Sequence, residues 1–190
     1  MTYFLIIMSA IFVNNVVLAQ FLGICPFLGV SKRISTAVGM SGAVIFVIVL
    51  STIFTWFVYN YLLIPFNVTY LQTIAFILVI ASLVQIVEII LKKTSPPLYQ
   101  ALGIFLPLIS TNCAILGVAI MTANKGYNLL DGVIFSASTG IGFGLALMIF
   151  AGIREQLDLV NIPNGMKGAP IALVIAGILA MAFMGFSGMV

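Results

Sequence analysis

The chain has 190 residues, of which 63% are hydrophobic and only 6% are charged. Soluble globular domains carry about 25% charged residues, so this composition excludes a soluble protein and predicts an integral membrane protein. The net charge of +3 is small and no basic face lies outside the apolar stretches, which argues against nucleic-acid binding.

Long stretches free of Asp, Glu, Lys and Arg predict all-α membrane spans, because a hydrocarbon core of about 30 Å needs roughly 20 residues of helix. These stretches are residues 3–31, 34–87, 94–124, 132–153 and 168–190. The second is long enough for two spans, and Pro65 and Asn67 interrupt it within YNYLLIPFNVTY, where several aromatic residues indicate an interfacial belt. The sequence therefore predicts six transmembrane helices in a single domain, residues 1–190.

The basic residues predict how the spans are oriented. Lys125 is the one basic residue in the even-numbered loops; the other six lie in loops one, three and five, at Lys32, Arg33, Lys92, Lys93, Arg154 and Lys167. Cytoplasmic loops carry the positive excess, so both termini are expected to face outward. Arg154, Glu155 and Asp158 are interpreted as part of a solvated loop. No loop is long enough to form a soluble catalytic domain.

Three short echoes indicate an internal repeat. The phrase C-x-x-L-G-V occurs at residues 25–30 and again, 88 residues later, at 113–118. In the same order, residues 42–46 of the second span resemble 132–135 of the fifth, and residues 78–81 of the third resemble 173–176 of the sixth. The two repeats cover about residues 1–93 and 94–190. Each holds three spans, an odd number, so the second half is expected to enter the membrane from the opposite side as a 3+3 inverted repeat.

The first and fourth spans are predicted to be broken helices, and each break contains one of the chain's two cysteines, Cys25 and Cys113. Helix-breaking residues flank both cysteines, at Gly23, Pro26, Pro107, Ser110, Thr111 and Asn112. Backbone groups freed by such a break must face protein or a cofactor rather than lipid.

Three interpretations of the cysteines are open: small buried hydrophobes, a disulfide, and metal ligands. Their equivalent positions in two helix breaks favour metal ligation. The chain has no histidine, so two further ligands must come from elsewhere, most simply from a partner subunit with its own cysteine pair. Four thiolates would hold an iron–sulfur centre; zinc would also satisfy the coordination but would supply no redox function. Gly29 and Gly117 are expected to allow close backbone approach, and Asn112 to donate a hydrogen bond to cluster sulfur.

Four further polar residues lie within or beside the predicted spans. Asn14, Asn15 and Gln20 lie in the first span and predict either interhelical hydrogen bonds or the lining of an ion route. Glu88 lies four residues before Lys92, which favours an orienting role at the membrane interface, with an ion-path role as the alternative.

Several segments resemble the RnfA membrane component of the bacterial Rnf complex, a family related to the NqrE component of the sodium-translocating NADH:quinone reductase. They are FVNNVVLAQFLGICPFLGVSK, YNYLLIPFN, KTSPPLY, LGIFLPLISTNCAILGVA and AFMGFSG, spread over essentially the whole chain. The resemblance implies an ion-translocating ferredoxin:NAD oxidoreductase in the bacterial inner membrane. In it, such a component pairs with a homologous, oppositely oriented membrane protein of the RnfE type and assembles with the other Rnf subunits.

The resemblance also implies a cofactor. Cys25 and Cys113 would join two cysteines of the partner to hold a 2Fe-2S cluster within the membrane, surrounded by Gly23, Pro26, Gly29, Asn112 and Gly117. Electrons would cross the bilayer through this centre, coupled to Na⁺ or H⁺ transport. The chain contains no dinucleotide-binding fingerprint or phosphate loop, so it is expected to be an electron relay and not an enzyme by itself. The rival hypothesis is a stand-alone secondary transporter, since inverted repeats and broken helices are common in that class.

Overall fold

The structure, a computed structural model, describes residues 2–31, 33–94, 106–157, 159–160 and 168–185. Every regular element in these ranges is helical, which confirms the all-α prediction for the described chain. Several predicted features lie outside the described residues, namely Lys32, Pro96–Pro97, Asp158, Lys167 and the last residues of AFMGFSG.

Within the described ranges the chain forms α1 (Thr2–Met8), α2 (Ile24–Val30), α3 (Ile34–Val58), α4 (Gln72–Thr94), α5 (Leu106–Ser110), α6 (Cys113–Asn124), α7 (Leu129–Leu157) and α8 (Ala169–Met184). The wider turns of a π-helix extend α1 over Ser9–Val13 and α3 over Tyr59–Leu63, and a 3₁₀ turn, Thr69–Leu71, precedes α4. Helices suit these apolar segments because a lipid environment leaves each backbone N–H and C=O to be paired within the segment.

Three of these helical segments are long and apolar enough to cross a membrane: residues 34–63, 69–90 and 129–157. Shorter apolar helices occupy residues 4–13, 108–124 and 169–184. Only 17% of the apolar window over residues 69–90 is buried within the subunit, so most of the apolar surface of α4 is exposed on the outside of the described fold. These six apolar segments follow the chain order of the predicted spans, and the number of spans stays a prediction. The helical segment over residues 4–13 ends at the first predicted break, and the segment over residues 108–124 contains the second.

The turn predicted around Pro65 and Asn67 is confirmed. The helical run that starts as α3 ends at Leu63, and Asn67 adopts a positive φ of 53° before the chain enters α4. Asparagine tolerates this left-handed conformation better than most residues, which suits it to a tight reversal.

The core of the described fold is the contact between α3 and α7, the most extensive between any two elements. Glycines of α7 permit it: a Cβ atom added at Gly140 would lie 3.3 Å from the Cα atom of Ile45, and one added at Gly144 would lie 3.1 Å from the Cβ atom of Ser41. Small residues at such positions let two membrane helices approach closely. The two helices are also the counterparts in the predicted repeat, as the second and fifth spans.

Six buried hydroxyl groups of α3, α6 and α7 are hydrogen-bonded within their own helix. In each case the side-chain hydroxyl donates to a backbone carbonyl four residues earlier, at distances of 2.7–2.9 Å, and the donors are Ser41, Thr52, Thr55, Thr122, Ser138 and Thr139. This local bond satisfies the hydroxyl proton without a partner from another helix. The oxygen of each hydroxyl keeps lone pairs that can still accept.

The solvated-loop interpretation of Arg154 and Glu155 is wrong, because α7 continues through both residues to Leu157. The Arg154 side chain is half-buried, and its Nη1 donates to the Leu28 carbonyl at 2.8 Å and to the buried Ser31 hydroxyl at 3.0 Å. A Glu155 carboxylate oxygen accepts from the Ile34 backbone N–H, at the first residue of α3, at 3.4 Å. The Arg154 cation lies at the C-terminal carbonyls of α2 and the Glu155 anion lies at the N-terminus of α3, so each charge is favoured by the helix dipole that it faces.

Candidate functional site: the two cysteines at interrupted helices

The first interruption, residues 14–23, separates the π turn after α1 from α2. Phe21 and Gly23 have positive φ angles of 55° and 80°, and Gly23 is the N-terminal cap of α2. Glycine adopts this conformation at little cost, whereas for a bulky residue such as Phe21 it is strained. Cys25 follows as the second residue of α2 and is exposed on the surface of the subunit.

The second interruption, residues 111–112, separates α5 from α6. Asn112 caps α6 from an extended conformation, and its Oδ1 accepts from the Ala114 N–H at 3.0 Å. Asparagine is among the preferred N-cap residues because its side chain pairs an N–H group that the helix leaves free. Cys113 is the first residue of α6 and is also exposed. Both cysteines therefore lie in the first turn of a helix that follows a break, rather than within the break itself as predicted.

The two interruptions pack against each other. A Cβ atom added at Gly23 would lie 3.2 Å from Asn112 Oδ1 and 3.1 Å from the Ala114 Cβ atom, the two residues that flank Cys113. A Cβ atom added at Gly117 would lie 2.6 Å from the Leu22 Cδ1 atom. The chain segments that carry Cys25 and Cys113 are thus neighbours, although 88 residues separate the cysteines in sequence.

Helix α2 also lies along α7. A Cβ atom at Gly23 would meet the Phe143 ring at 2.9 Å, Phe27 stacks on Phe150 with ring centroids 4.1 Å apart, and the Leu28 carbonyl accepts from Arg154. Successive residues of α2 and its N-terminal cap therefore contact successive turns of α7. The sequence offered no local signal for them, because each joins residues more than a hundred positions apart.

Both thiols are exposed on this subunit, and both are free, so the structure shows neither burial within the subunit nor a disulfide between them. In the described chain no cluster of three or more His, Cys, Asp or Glu side chains is arranged to hold a metal ion. The metal-ligand interpretation stays a prediction, and it requires ligands from outside the described part of this protein.

Asn112 offers an unpaired donor beside Cys113. The residue is only 3% exposed, and its Nδ2 has no hydrogen-bond partner among the described residues. Leaving a buried amide donor unpaired costs about 1–3 kcal/mol, so such a group is commonly matched by something the protein binds. The two exposed thiols and the unpaired amide donor next to Cys113 fit a bound group that takes thiolate ligands and accepts a hydrogen bond.

Of the other residues predicted to surround the centre, some are packed within the subunit and one is exposed. Pro26 is buried in the first turn of α2, where a missing N–H group is tolerated. Gly117 packs on the Leu22 side chain rather than on backbone, so the close backbone approach predicted there stays a prediction. Gly29 is exposed, and a Cβ atom there would meet no described atom within 4 Å, so its close approach is not made within the described chain.

Asn15 holds the first interruption in place. Its Nδ2 donates to the Gly142 carbonyl at 2.8 Å and to the Ile11 carbonyl at 3.1 Å, while its Oδ1 accepts from the Val17 N–H at 3.1 Å. The residue is 1% exposed. These bonds match the interhelical alternative predicted for the amides of the first span.

Replacing Asn15 by alanine is expected to destabilise the protein by about 1–3 kcal/mol, because it removes the bond to α7 and leaves the Val17 N–H without its acceptor. Asn14→Ala is the matched control, since Asn14 is exposed and its Nδ2 donates to the nearby Ser9 hydroxyl, at 3.1 Å, rather than to another helix. The thermal midpoint of the purified protein in detergent measures the difference. Equal midpoints for the two variants would contradict the structural role of Asn15.

The remaining predicted ion-path residues are placed differently. Asn14 and Gln20 are exposed at the first interruption, close in sequence to Cys25. Glu88 is half-buried on α4, one helical turn before Lys92, as the spacing predicts. The ion-path role of these three residues, and of Asn15, stays a prediction.

Comparison with known proteins identifies the family. The family model described as "Rnf-Nqr subunit, membrane protein" matches residues 3–190. The chain belongs to the Rnf-Nqr family. This Rnf-Nqr protein is 56% identical over 189 residues to a protein of Acetobacterium woodii that is named as a subunit of the "Na(+)-translocating ferredoxin:NAD(+) oxidoreductase complex", covering 100% of the chain and 98% of the relative.

Two further relatives are each named as the corresponding subunit of an "Ion-translocating oxidoreductase complex". The one from Syntrophotalea carbinolica is 55% identical over 186 residues, covering 98% of the chain and 96% of the relative. The one from Escherichia fergusonii is 51% identical over 188 residues, covering 99% and 97%. The resemblance inferred from the sequence is therefore confirmed, and the Rnf-Nqr protein is a membrane protein with full-length bacterial relatives.

Proposed function

We propose that this Rnf-Nqr protein is the RnfA component of an ion-translocating ferredoxin:NAD⁺ oxidoreductase complex in the bacterial cytoplasmic membrane. The names of the relatives support this proposal, because each matches the chain over nearly its full length and each is named as the same subunit of an ion-translocating oxidoreductase complex. The chain is a membrane component of the complex, and the other subunits carry the sites for ferredoxin and NAD⁺.

Within the complex, Cys25 and Cys113 supply two of the four thiolate ligands of an iron–sulfur centre, and a homologous subunit of opposite orientation supplies the other two. The observation that carries this proposal is the contact between the two interruptions, which makes neighbours of the segments bearing the chain's only two cysteines. Exposure of both thiols favours a site completed at an interface. When bound, a 2Fe-2S cluster accepts and releases one electron.

The residues around the cysteines position them. Gly23 permits the contact between the interruptions, the unpaired Nδ2 of Asn112 is the proposed donor to cluster sulfur, and open space at Gly29 admits the partner subunit. The short helix α2 rests on α7 through Phe27 and Arg154, which fixes the direction of Cys25.

The proposed topology is six spans in a 3+3 inverted repeat, with both termini outside. The placement of both cysteines after helix breaks, and the pairing of α3 with α7, support this arrangement. An axis in the membrane plane passes between α3 and α7 and relates the two interruptions. Electrons then reach the centre from one side of the membrane and leave it toward the other.

The ion moved by the complex is proposed to be Na⁺, as named for the Acetobacterium woodii relative. Asn14 and Gln20, exposed near Cys25, and Glu88 on α4 are the proposed polar positions of the path in this protein. Asn15 supports the path through its bonds to the backbone.

Iron and sulfide analysis tests the shared centre. The protein purified together with its homologous partner is expected to contain about two iron atoms and two sulfides per pair, whereas the isolated protein retains less than about a tenth of that amount, because a half-site with two thiolates binds a cluster weakly. A full complement in the isolated protein would overturn the half-site. Absence of iron from both preparations would favour the rival, a stand-alone secondary transporter.

A further inference from the structure

A pocket of about 390 Å³ with both polar and apolar lining lies where α3 and α6 end, away from the two cysteines. Its lining includes Thr52, Thr55, Trp56, Asn60, Thr122 and Tyr127. Because α3 begins at Ile34, the pocket lies about 27 Å or more along that helix from the basic loop carrying Arg33. It therefore lies toward the side predicted to face outward.

Three buried hydroxyls that line this pocket each donate their proton to a backbone carbonyl of their own helix. Thr52 donates to the Ile48 carbonyl at 2.9 Å, and Thr122 donates to the Val118 carbonyl at 2.8 Å. Thr55 likewise donates within α3, at 2.7 Å. A hydroxyl has one proton and two lone pairs, so each of these oxygens has only acceptor capacity left to offer a bound species.

Two other side chains of the pocket also donate hydrogen bonds to backbone carbonyls. The Trp56 indole N–H donates to the Tyr127 carbonyl at 3.2 Å, and the Asn60 Nδ2 donates to the Trp56 carbonyl at 3.2 Å. The Asn60 Oδ1 can accept, and the Asn60 amide also keeps a second N–H. The pocket therefore combines the acceptor oxygens of three threonines with amide side chains at Asn60, Asn124 and Asn128, and no carboxylate is among the described residues that line it.

The end of α6 adds a negative potential. Helix α6 ends at Asn124, which lines the pocket, and the carbonyls at a helix C-terminus carry a partial negative charge. Lys125 follows directly but does not line this pocket: its ammonium lies 4.8 Å from the Phe135 ring centroid and 5.6 Å from the Tyr127 ring centroid, in a neighbouring pocket. Acceptor oxygens at a helix C-terminus suit a hard cation, and the lack of a carboxylate favours a single charge over a double one.

We propose that this pocket binds a monovalent metal cation, Na⁺, as an outer station of the ion path. The inference rests on the proposed function, which supplies the cation, and it adds a site distinct from the cysteines. The station and the cysteine ligand share helix α6: Ala119 and Thr122 lie six and nine residues after Cys113, about 9–14 Å along the axis. A rigid helix thus links the two sites.

The test compares Thr52→Val plus Thr122→Val with Thr139→Val in the complete complex reconstituted into liposomes. Valine keeps the shape of threonine but removes the acceptor oxygen. Thr139 is the matched control because it is buried, donates to the Phe135 carbonyl at 2.8 Å, and does not line the pocket. The readouts are the Na⁺ concentration for half-maximal ²²Na⁺ uptake, ²³Na⁺ binding by NMR relaxation, and the iron and sulfide content.

The double variant is expected to need about tenfold more Na⁺ for half-maximal uptake and to lose Na⁺ relaxation to a similar degree, the scale typical of a weakened metal site. Iron and sulfide content stay at the wild-type level, and Thr139→Val behaves as the wild type. An unchanged Na⁺ requirement, an equal change in Thr139→Val, or no Na⁺ binding by the wild-type complex would overturn the pocket assignment. Failure of the shared centre would appear separately, as iron absent from the wild-type complex.

Discussion

Serine in place of either cysteine is expected to abolish the intramembrane iron–sulfur signal of the assembled complex. Each substitution removes one of the four thiolates proposed to hold the cluster, and a hydroxyl is a far weaker ligand for iron than a thiolate. Ferredoxin-dependent reduction of NAD⁺ should then fall on the order of 100-fold or more, because no other cysteine is available in the chain. EPR spectroscopy and visible absorption of the purified complex measure the centre directly.

The matched control is Met181→Ser, which places the same hydroxyl on an exposed position of α8. It should keep both the spectrum and the activity. If Cys25→Ser retains the wild-type spectrum, the ligand assignment is wrong. If the Cys25→Ser variant loses the cluster but retains full electron transfer, the cluster of the wild-type complex does not serve as the relay.

Alanine in place of Gly23 is expected to have the largest effect of any conservative substitution in the site. The residue has a φ of 80°, which an L side chain adopts with strain, and the new methyl group would lie 2.9 Å from the buried Phe143 ring and 3.2 Å from Asn112 Oδ1. Strained backbone and overpacking together predict a loss of about 2–4 kcal/mol in unfolding free energy. Because both interruptions meet here, the iron content should fall together with the thermal midpoint.

Gly152→Ala provides the comparison, since a Cβ atom at Gly152 of α7 meets no described atom within 4 Å. It should leave both the thermal midpoint and the iron content at the wild-type level. Should Gly23→Ala melt at the same temperature as Gly152→Ala, the close contact between the interruptions does not exist in solution.

Much of the helical framework was predictable because it depends on local patterns. Apolar stretches predicted the helices, and Gly23 and Asn112 predicted where two of them are interrupted. The turn after Leu63 followed from Pro65. In each case the signal lies within a few residues of the feature.

The contacts across the site were not predictable, because their partners are distant in sequence. Nothing near Gly23 indicates that Phe143 packs on it. The charges that cluster at the end of the fifth span favour a solvated loop for Arg154, yet its guanidinium has acceptors in the Leu28 carbonyl and Ser31. A helix that gains such partners continues past the point where its apolar pattern stops.

The support of α2 has a consequence for how the two halves of the chain depend on each other. This seven-residue helix carries Cys25 and contacts α3 in its own half of the chain, but the side-chain contacts described for it come from α6 and α7, at Ala114, Phe143, Phe150 and Arg154. All of these partners are synthesised long after Cys25 itself. The amino-terminal half therefore encodes the thiol but only part of the surface that orients it, and the position of Cys25 is fixed only once the carboxy-terminal half has been inserted.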